Sequence, residues 1–344
     1  MYSLQESKID DIVVGMNRFR LYGIGNALLD YEYLVDDSIL KELEIEKGTM
    51  LLNEHDKHLK IHNLLKEKYS SQKIMPGGSV ANSVYSMAKF GDRVCFAGKV
   101  SSDETGEKFI TSIEEAGIHS DVCKIRSGIS GECLVLITSD NERTMNTYLG
   151  SSSKLNPDDI STDLIRDSEY LLIEGYLVSS DQTLSVCNNA IEVAKDNKTK
   201  IVLTLSDPNI VKFFRDNILT LLKDKIDFIF CNELEAKYFS QTDTIKDSLA
   251  FLKNFAHKVI VTLGDKGAVY TDTSSSFMVD GINVESNDFT GAGDMFLGAF
   301  MHKFQSPNNA SESLTFANRC ASEIIKTYGA KFEKDSDYHS LLSK

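Results

Sequence analysis

The stretch NDFTGAGDMFLGAF, Asn287 to Phe300, sets Gly291, Ala292 and Gly293 directly before Asp294 and an apolar run. Residues with little or no side chain let a helix begin with exposed backbone amides, and amides at a helix start hold anions. Phe296, Leu297 and Phe300 supply the apolar face of a packed helix, which predicts a helix start at the glycines and free amides at Gly291, Ala292 and Gly293. Asp294 then lies in the first turn, where the helix dipole favours its ionised form by roughly 0.3–1 kcal/mol. An acid in a first turn is also ordinary helix chemistry, so Asp294 alone does not separate a catalytic base from a helix start.

Two further glycine-bearing stretches compete. GIGNALLD, Gly23 to Asp30, follows a strand-like run, but Leu28 stands where a dinucleotide fingerprint needs its third glycine, so a nicotinamide-binding reading is weak. PGGSVANS, Pro76 to Ser83, precedes a helical pattern, and Gly77 with Gly78 would let a ligand approach the backbone; as a lone motif it reads as a turn. No Walker A pattern occurs, which excludes a P-loop nucleotide site. In EHDKHLKIH, a helix would put His55, His58 and His62 on one face. There is no HExxH, and the run is otherwise charged like a solvated surface, so metal binding is set aside there.

These residues need a scaffold. Short apolar runs recur at FRLYGIG from Phe19, RVCFAGKV from Arg93, CLVLIT from Cys133, YLLIEG from Tyr170, KIVLTL from Lys200, DFIFC from Asp227 and KVIVTL from Lys258. Several are apolar throughout, as strands covered on both faces are. Helix-length segments at 182–196, 210–223 and 245–257 lie between the later ones. The alternation predicts an α/β fold with a mostly parallel sheet flanked by helices on both faces, binding its ligand beyond the carboxyl ends of the strands. Two regions, about 30–74 and about 118–150, break the rhythm with strand-like pieces where a helix is expected. They read as a small β-sheet lid on one domain spanning 1–344. Ordinary surface insertions are the alternative.

Acidic residues outnumber basic ones 51 to 37, a net charge of -14, with no basic block. Nucleic acid and anionic membrane are therefore not expected as partners, whereas a small anionic ligand held by amides is compatible. The six cysteines are scattered without zinc or redox spacing and read as buried thiols. DDIVVGMNRFR is too short and too acidic for a signal peptide, and no run spans a membrane, so a cytoplasmic protein is expected.

Taken together and in order, GGSVAN near residue 80, NELE at 232–235, TLGDKGA at 262–268 and DFTGAGD at 288–294 resemble the ribokinase-like (PfkB) family of carbohydrate and nucleoside kinases. The resemblance runs from about Leu21 to about Ala330. The adenosine kinase branch is most similar: GNALLD resembles its amino-terminal substrate motif, and DNERTMNTYLG, IEGYLVSS and LTLSDP are similar to its bacterial members.

The resemblance implies roles. Asp294 would be the general base toward a primary hydroxyl, with Gly291, Ala292 and Gly293 as the anion hole for the travelling phosphoryl group. Asn232 and Glu235 match the NxxE motif that organises Mg2+ and its waters. Thr262, Gly264, Gly267 and Asn318 would border the nucleotide, ATP. Asn26, Asp30, Gly77, Gly78 and Asn82 match substrate-facing positions, and Arg143 matches a lid arginine that closes on the phosphates; a solvated loop charge is the alternative for Arg143. Phe289 replaces the small or hydroxylated residue usual after the first Asp of the late motif, which leaves open a monovalent-cation site there, and Ala27 stands where proline is usual. The function expected is ATP-dependent transfer of a γ-phosphoryl group to a nucleoside or sugar, adenosine first. A sugar kinase acting on ribose, fructose or a sugar phosphate, and a silent nucleotide or nucleoside sensor, are the alternatives. Monomer and homodimer are both compatible.

Overall fold

The computed structural model describes residues 18–140, 142–286 and 288–343. Most of DDIVVGMNRFR, together with Asn141 and Asn287, lies outside them. Among the described residues fourteen strands form two sheets. In chain order they are β1 (Phe19–Ile24), β2 (Leu28–Leu34), β3 (Met50–Leu52), β4 (Ser71–Gly77), β5 (Val94–Ser101), β6 (His119–Ile125) and β7 (Gly131–Ile137). Then come β8 (Arg143–Tyr148), β9 (Ser168–Glu174), β10 (Lys200–Thr204), β11 (Ile226–Asn232), β12 (Ala256–Thr262), β13 (Ala268–Thr271) and β14 (Ser276–Val279).

The large sheet runs β14-β13-β12-β11-β10-β9-β1-β5-β6, parallel except at β13 and β14. Its central strands are apolar on both faces because helices cover both. One layer, including the helices Ser79–Lys89, Ala292–Lys303 and Ala310–Ile324, packs with Leu21, Tyr170, Phe228 and Ile260. The other, including the helix Asp181–Asp196, packs with Tyr22, Ile173, Leu203 and Ile229. The carboxyl ends of β1, β9, β10, β11 and β12 therefore open at one edge, the place where such sheets receive ligands.

The small sheet runs β3-β8-β7-β2-β4. Alternation along β2 and β7 sorts its faces. Leu29, Tyr31, Tyr33, Leu134 and Leu136 pack with Ile39, Leu40, Ile61 and Leu65 from the helices Asp37–Glu42 and His55–Lys68. Leu28, Asp30 and Cys133 line a cavity on the opposite side.

Three sequence readings are corrected. The segment 30–74 holds two helices rather than strand-like pieces alone, because the back face of the small sheet must be covered. Within 118–150, His119–Ile125 pairs in parallel with β5 on the edge of the large sheet, so only β7 and β8 of that segment enter the small one. The segment 210–223 is two short helices, Pro208–Phe213 and Arg215–Leu221, interrupted where Phe214 leaves helical geometry. Among the described residues no helix is long and apolar enough to cross a membrane.

Candidate active site

The late glycine motif makes the turn that its composition suggests. Gly291 sits at φ 73°, ψ 2°, left-handed backbone that a side chain resists, and caps a helix running Ala292–Lys303. A Cβ there would strike Ala330, so the position is closed on steric grounds as well. Among the described residues the N–H groups of Gly291 and Gly293 have no partner, while that of Ala292 donates to the Phe289 carbonyl at 3.3 Å. The expected trio of free amides is thus two, because the residue after a left-handed cap closes the preceding turn.

Asp294 is partly exposed toward a cavity but otherwise enclosed. Ser79 Oγ donates to its Oδ1 at 2.6 Å and Asn82 Nδ2 to its Oδ2 at 2.9 Å. Burial raises its carboxyl above the usual range, against those two hydrogen bonds and the charge of Lys331. Asn82 Oδ1 is buried without a partner, an acceptor left for a ligand hydroxyl. Gly78 at φ 99° lets the chain turn into the helix Ser79–Lys89 that brings Ser79 and Asn82 to Asp294.

On one side of the Gly291 turn lies a cavity of about 410 Å³. Its walls include Leu28, Met50, Met145, Leu149 and Phe289, and its polar floor is Asn26, Asp30, Asn82 and Asp294. On the other side, a cleft of about 500 Å³ is bordered by Thr262, Gly264, Gly267, Ala292, Gly293 and Asn318. Phe289, 72 % exposed, borders both. A third space of about 230 Å³ touches Ser79, Asn232, Glu235, Thr262, Gly291, Gly293 and Asp294 and shares lining residues with both.

Asn232 and Glu235 close a reciprocal cap at the start of the helix Glu233–Ser240: Glu235 N–H donates to Asn232 Oδ1 at 2.9 Å, Asn232 N–H to Glu235 Oε2 at 3.0 Å, and Asn232 Nδ2 to Glu235 Oε1 at 2.6 Å. Burial, with Asp207 and Asp294 nearby, pushes the Glu235 carboxyl up to about 7 despite the hydrogen bond from the Asn232 backbone. Buried carboxylates facing other carboxylates across a space lined with oxygen ligands are a donor set that suits a hard divalent cation.

Three expected site residues make contacts that the sequence did not show. Arg143 is neither a solvated loop charge nor a border of the glycine-lined cleft. It lies buried at the start of β8, pairs with Asp288 and, at 3.5 Å, with Glu32, and borders the apolar cavity. Asp288 is the acid that opens the glycine motif, also accepting from Thr290 and Gly329 N–H, so Arg143 ties the small sheet to the anion turn. Gly77 borders neither cleft; its missing side chain leaves room for the Asp30 carboxyl. Asn318 borders the nucleotide-sized cleft, but its Nδ2 donates to the Val279 and Asp280 carbonyls at 3.4 and 3.2 Å and so steadies the end of β14.

The structure adds residues that the sequence reading passed over. Glu174, the last residue of β9, accepts from Asn26 Nδ2 at 2.7 Å and from Val80 N–H at 3.0 Å, and burial lifts its carboxyl to about 7. An acid ending an apolar strand at the ligand edge was the available signal. Lys331 is a buried cation beside Asp30 and Asp294, bonded to the Pro76 carbonyl; burial lowers its pKa against the attraction of those carboxylates. Burial in turn raises Asp30, opposed by Lys331.

An acid and a pair of unpartnered amides around a space that shares residues with both clefts make a site suited to moving an anionic group between two molecules. The pattern of the pfkB family of carbohydrate kinases matches residues 55–336, and the chain belongs to that family. It is a phosphotransferase with an alcohol group as acceptor, of a kind that uses ATP. The adenosine kinase of Dictyostelium discoideum is 26% identical over 338 residues, covering 92% of this chain and 97% of its own length. A probable fructokinase-4 of Arabidopsis thaliana is 27% identical over 287 residues, 78% of this chain and 87% of its own. The crystal structure of adenosine kinase from Sinorhizobium meliloti superposes with a TM-score of 0.87 at 28% identity, covering 95% of this chain and all of that one, in agreement with the ribokinase-like architecture.

Proposed function

We infer that the chain transfers the γ-phosphoryl group of ATP to the primary hydroxyl of a nucleoside, adenosine being the preferred acceptor. The observation that carries this reading is the space at Asp294, Gly291 and Gly293 that shares residues with both the apolar cavity and the glycine-lined cleft. The acceptor occupies the cavity, where Asn26, Asp30 and Asn82 take its hydroxyls. Asp294 receives the hydroxyl proton as the bond to phosphorus forms, because a carboxylate is too weak a base to remove it beforehand. The free amides of Gly291 and Gly293 take up charge on the transferred group. Thr262, Gly264 and Gly267 border the nucleotide. Arg143 acts as a positioning residue through Asp288 rather than on the phosphates. Asn232 and Glu235 are the residues suited to hold Mg2+, directly or through water, and Mg2+ bound there would neutralise phosphate charge.

The choice of acceptor rests on the cavity walls. Leu28, Met50, Met145, Leu149 and Phe289 suit a flat apolar base, and the one cation bordering the cavity among the described residues, Arg143, is already paired with acids. That disfavours a sugar phosphate. Two adenosine kinases among the similar proteins support the nucleoside. The polar floor suits a free sugar too, and the fructokinase relative supports that second reading. Release of ADP measured with ATP and Mg2+ against adenosine, inosine, ribose, fructose and fructose 6-phosphate decides between them. Adenosine should give the highest kcat/KM. A higher value on fructose or ribose would replace the nucleoside reading with the sugar one.

A further inference from the structure

Behind the small sheet, away from the clefts, His58 and His62 are not on a solvated surface. Both are 3 % exposed, buried on the face of the helix His55–Lys68 that packs against the small sheet. A third group, from β7 and distant in sequence, completes the cluster. Glu132 Oε2 lies 3.1 Å from His58 Nε2 and 3.0 Å from His62 Nδ1. The three atoms lie within 4.8 Å of one another.

We propose that His58, His62 and Glu132 form a binding site for one divalent transition-metal ion of the zinc class, which clamps the helix His55–Lys68 to the back of the small sheet. Histidines at i and i+4 present nitrogens on one helical face, and a carboxylate opposite supplies the third corner. A tetrahedral site with bonds of about 2.0–2.1 Å has edges of roughly 3.3–3.4 Å, so the His–Glu separations need to open by a few tenths of an ångström while the two histidine nitrogens, within 4.8 Å of each other, close toward that edge. Glu132 offers one oxygen, Oε2, to both histidines. Thr105 Oγ1 donates to the other oxygen, Oε1, at 2.8 Å and so orients the group as an outer partner of a metal ligand does. Two imidazoles and one carboxylate favour zinc-class ions over Mg2+ or Ca2+, which prefer oxygen throughout. The Glu132 side chain keeps 15% exposure, an opening through which the ion and a fourth, water ligand can enter.

The site is independent of the kinase reading. β7 also carries Cys133, which borders the acceptor cavity from the opposite face, so a clamp at Glu132 steadies the wall of that cavity from behind. The test is titration of Zn2+ into the full chain after chelator treatment, read by equilibrium dialysis and by thermal unfolding, with Co2+ as the spectroscopic substitute. The expected result is one equivalent bound per chain with a rise in Tm. Binding should weaken at least about 100-fold in Glu132→Gln and about tenfold in Thr105→Val, which keeps all three ligands. If Glu132→Gln does not fold, the Co2+ spectrum of the unaltered chain decides. Tetrahedral visible bands without a thiolate charge-transfer band support the site. A thiolate band would assign the metal to cysteines and overturn the proposal. Substoichiometric binding, or equal binding by the unaltered chain and a folded Glu132→Gln protein, would overturn it too and leave a carboxylate hydrogen-bonded between two imidazoles.

Discussion

Asp294 and Glu235 border the same space, and burial raises both carboxyls, yet their company differs. Asp294 receives two side-chain hydrogen bonds and lies near the Lys331 ammonium. Glu235 receives its hydrogen bonds from its own capping partner, and the charges that act on it are the acids Asp207 and Asp294. The same direction of shift therefore goes with unequal chemistry. The first acid is oriented and partly compensated, as a proton acceptor must be. The second lacks a counter-charge and calls for a cation.

The comparison breaks most severely at Asp294→Asn. The substitution keeps the shape and removes the proton acceptor, so kcat/KM for the preferred acceptor should fall about 10²–10⁴-fold with the fold intact by circular dichroism. A loss under threefold would remove Asp294 from the role of base. Glu235→Gln should cost less, about 10–100-fold in kcat at fixed Mg2+, with the Mg2+ requirement moved to higher concentration. A Mg2+ titration of turnover checks it.

The same two acids make opposite demands on pH. As a base, Asp294 must be ionised, and its raised pKa places the acid limb of the kcat/KM profile above the ordinary aspartate range. Ser79→Ala removes a bond that favours the ionised form, so the limb should move further toward neutral pH. An unchanged profile would detach the limb from Asp294.

Glu235 has a folded-state pKa above its unfolded value, so its contribution to stability is fully present below about 4.5 and is lost as pH rises through about 7. The rise from 4.5 to about 7, at roughly 1.36 kcal/mol per unit, corresponds to about 3 kcal/mol. Without Mg2+, Glu235→Gln should therefore unfold at a less pH-dependent Tm, and Mg2+ at pH 8 should stabilise the unaltered chain more than the variant. The smallest effect is expected at Phe289→Ser. The ring borders both clefts from an exposed position, so KM for ATP and for acceptor should change by a few fold with little change in Tm.

Much of this was legible beforehand, unevenly. The seven apolar runs named as strands are strands, because a run buried on both faces has few other homes. The glycine motif announced its turn, since few residues other than glycine tolerate the conformation at Gly291. The histidines of EHDKHLKIH were misread as solvated because the charges between them, Asp56, Lys57 and Lys60, do face water. Helical periodicity shows that a face exists but not what it meets. The partners of Arg143 were hidden for a similar reason: its acids, Glu32 and Asp288, are 111 and 145 residues away in the chain.

Local pattern by itself determined the strands of the parallel sheet, the helix start at Gly291 and the cap that joins Asn232 to Glu235, because each depends on backbone geometry and on neighbours within a few residues. Only the tertiary structure decided that Ser79 and Asn82 hold Asp294, that Lys331 lies buried beside it, and that Glu132 stands between two histidines. Those pairings join elements brought together by burial of apolar faces, a force with little direction, and partners across such a contact leave no mark in the spacing of either segment.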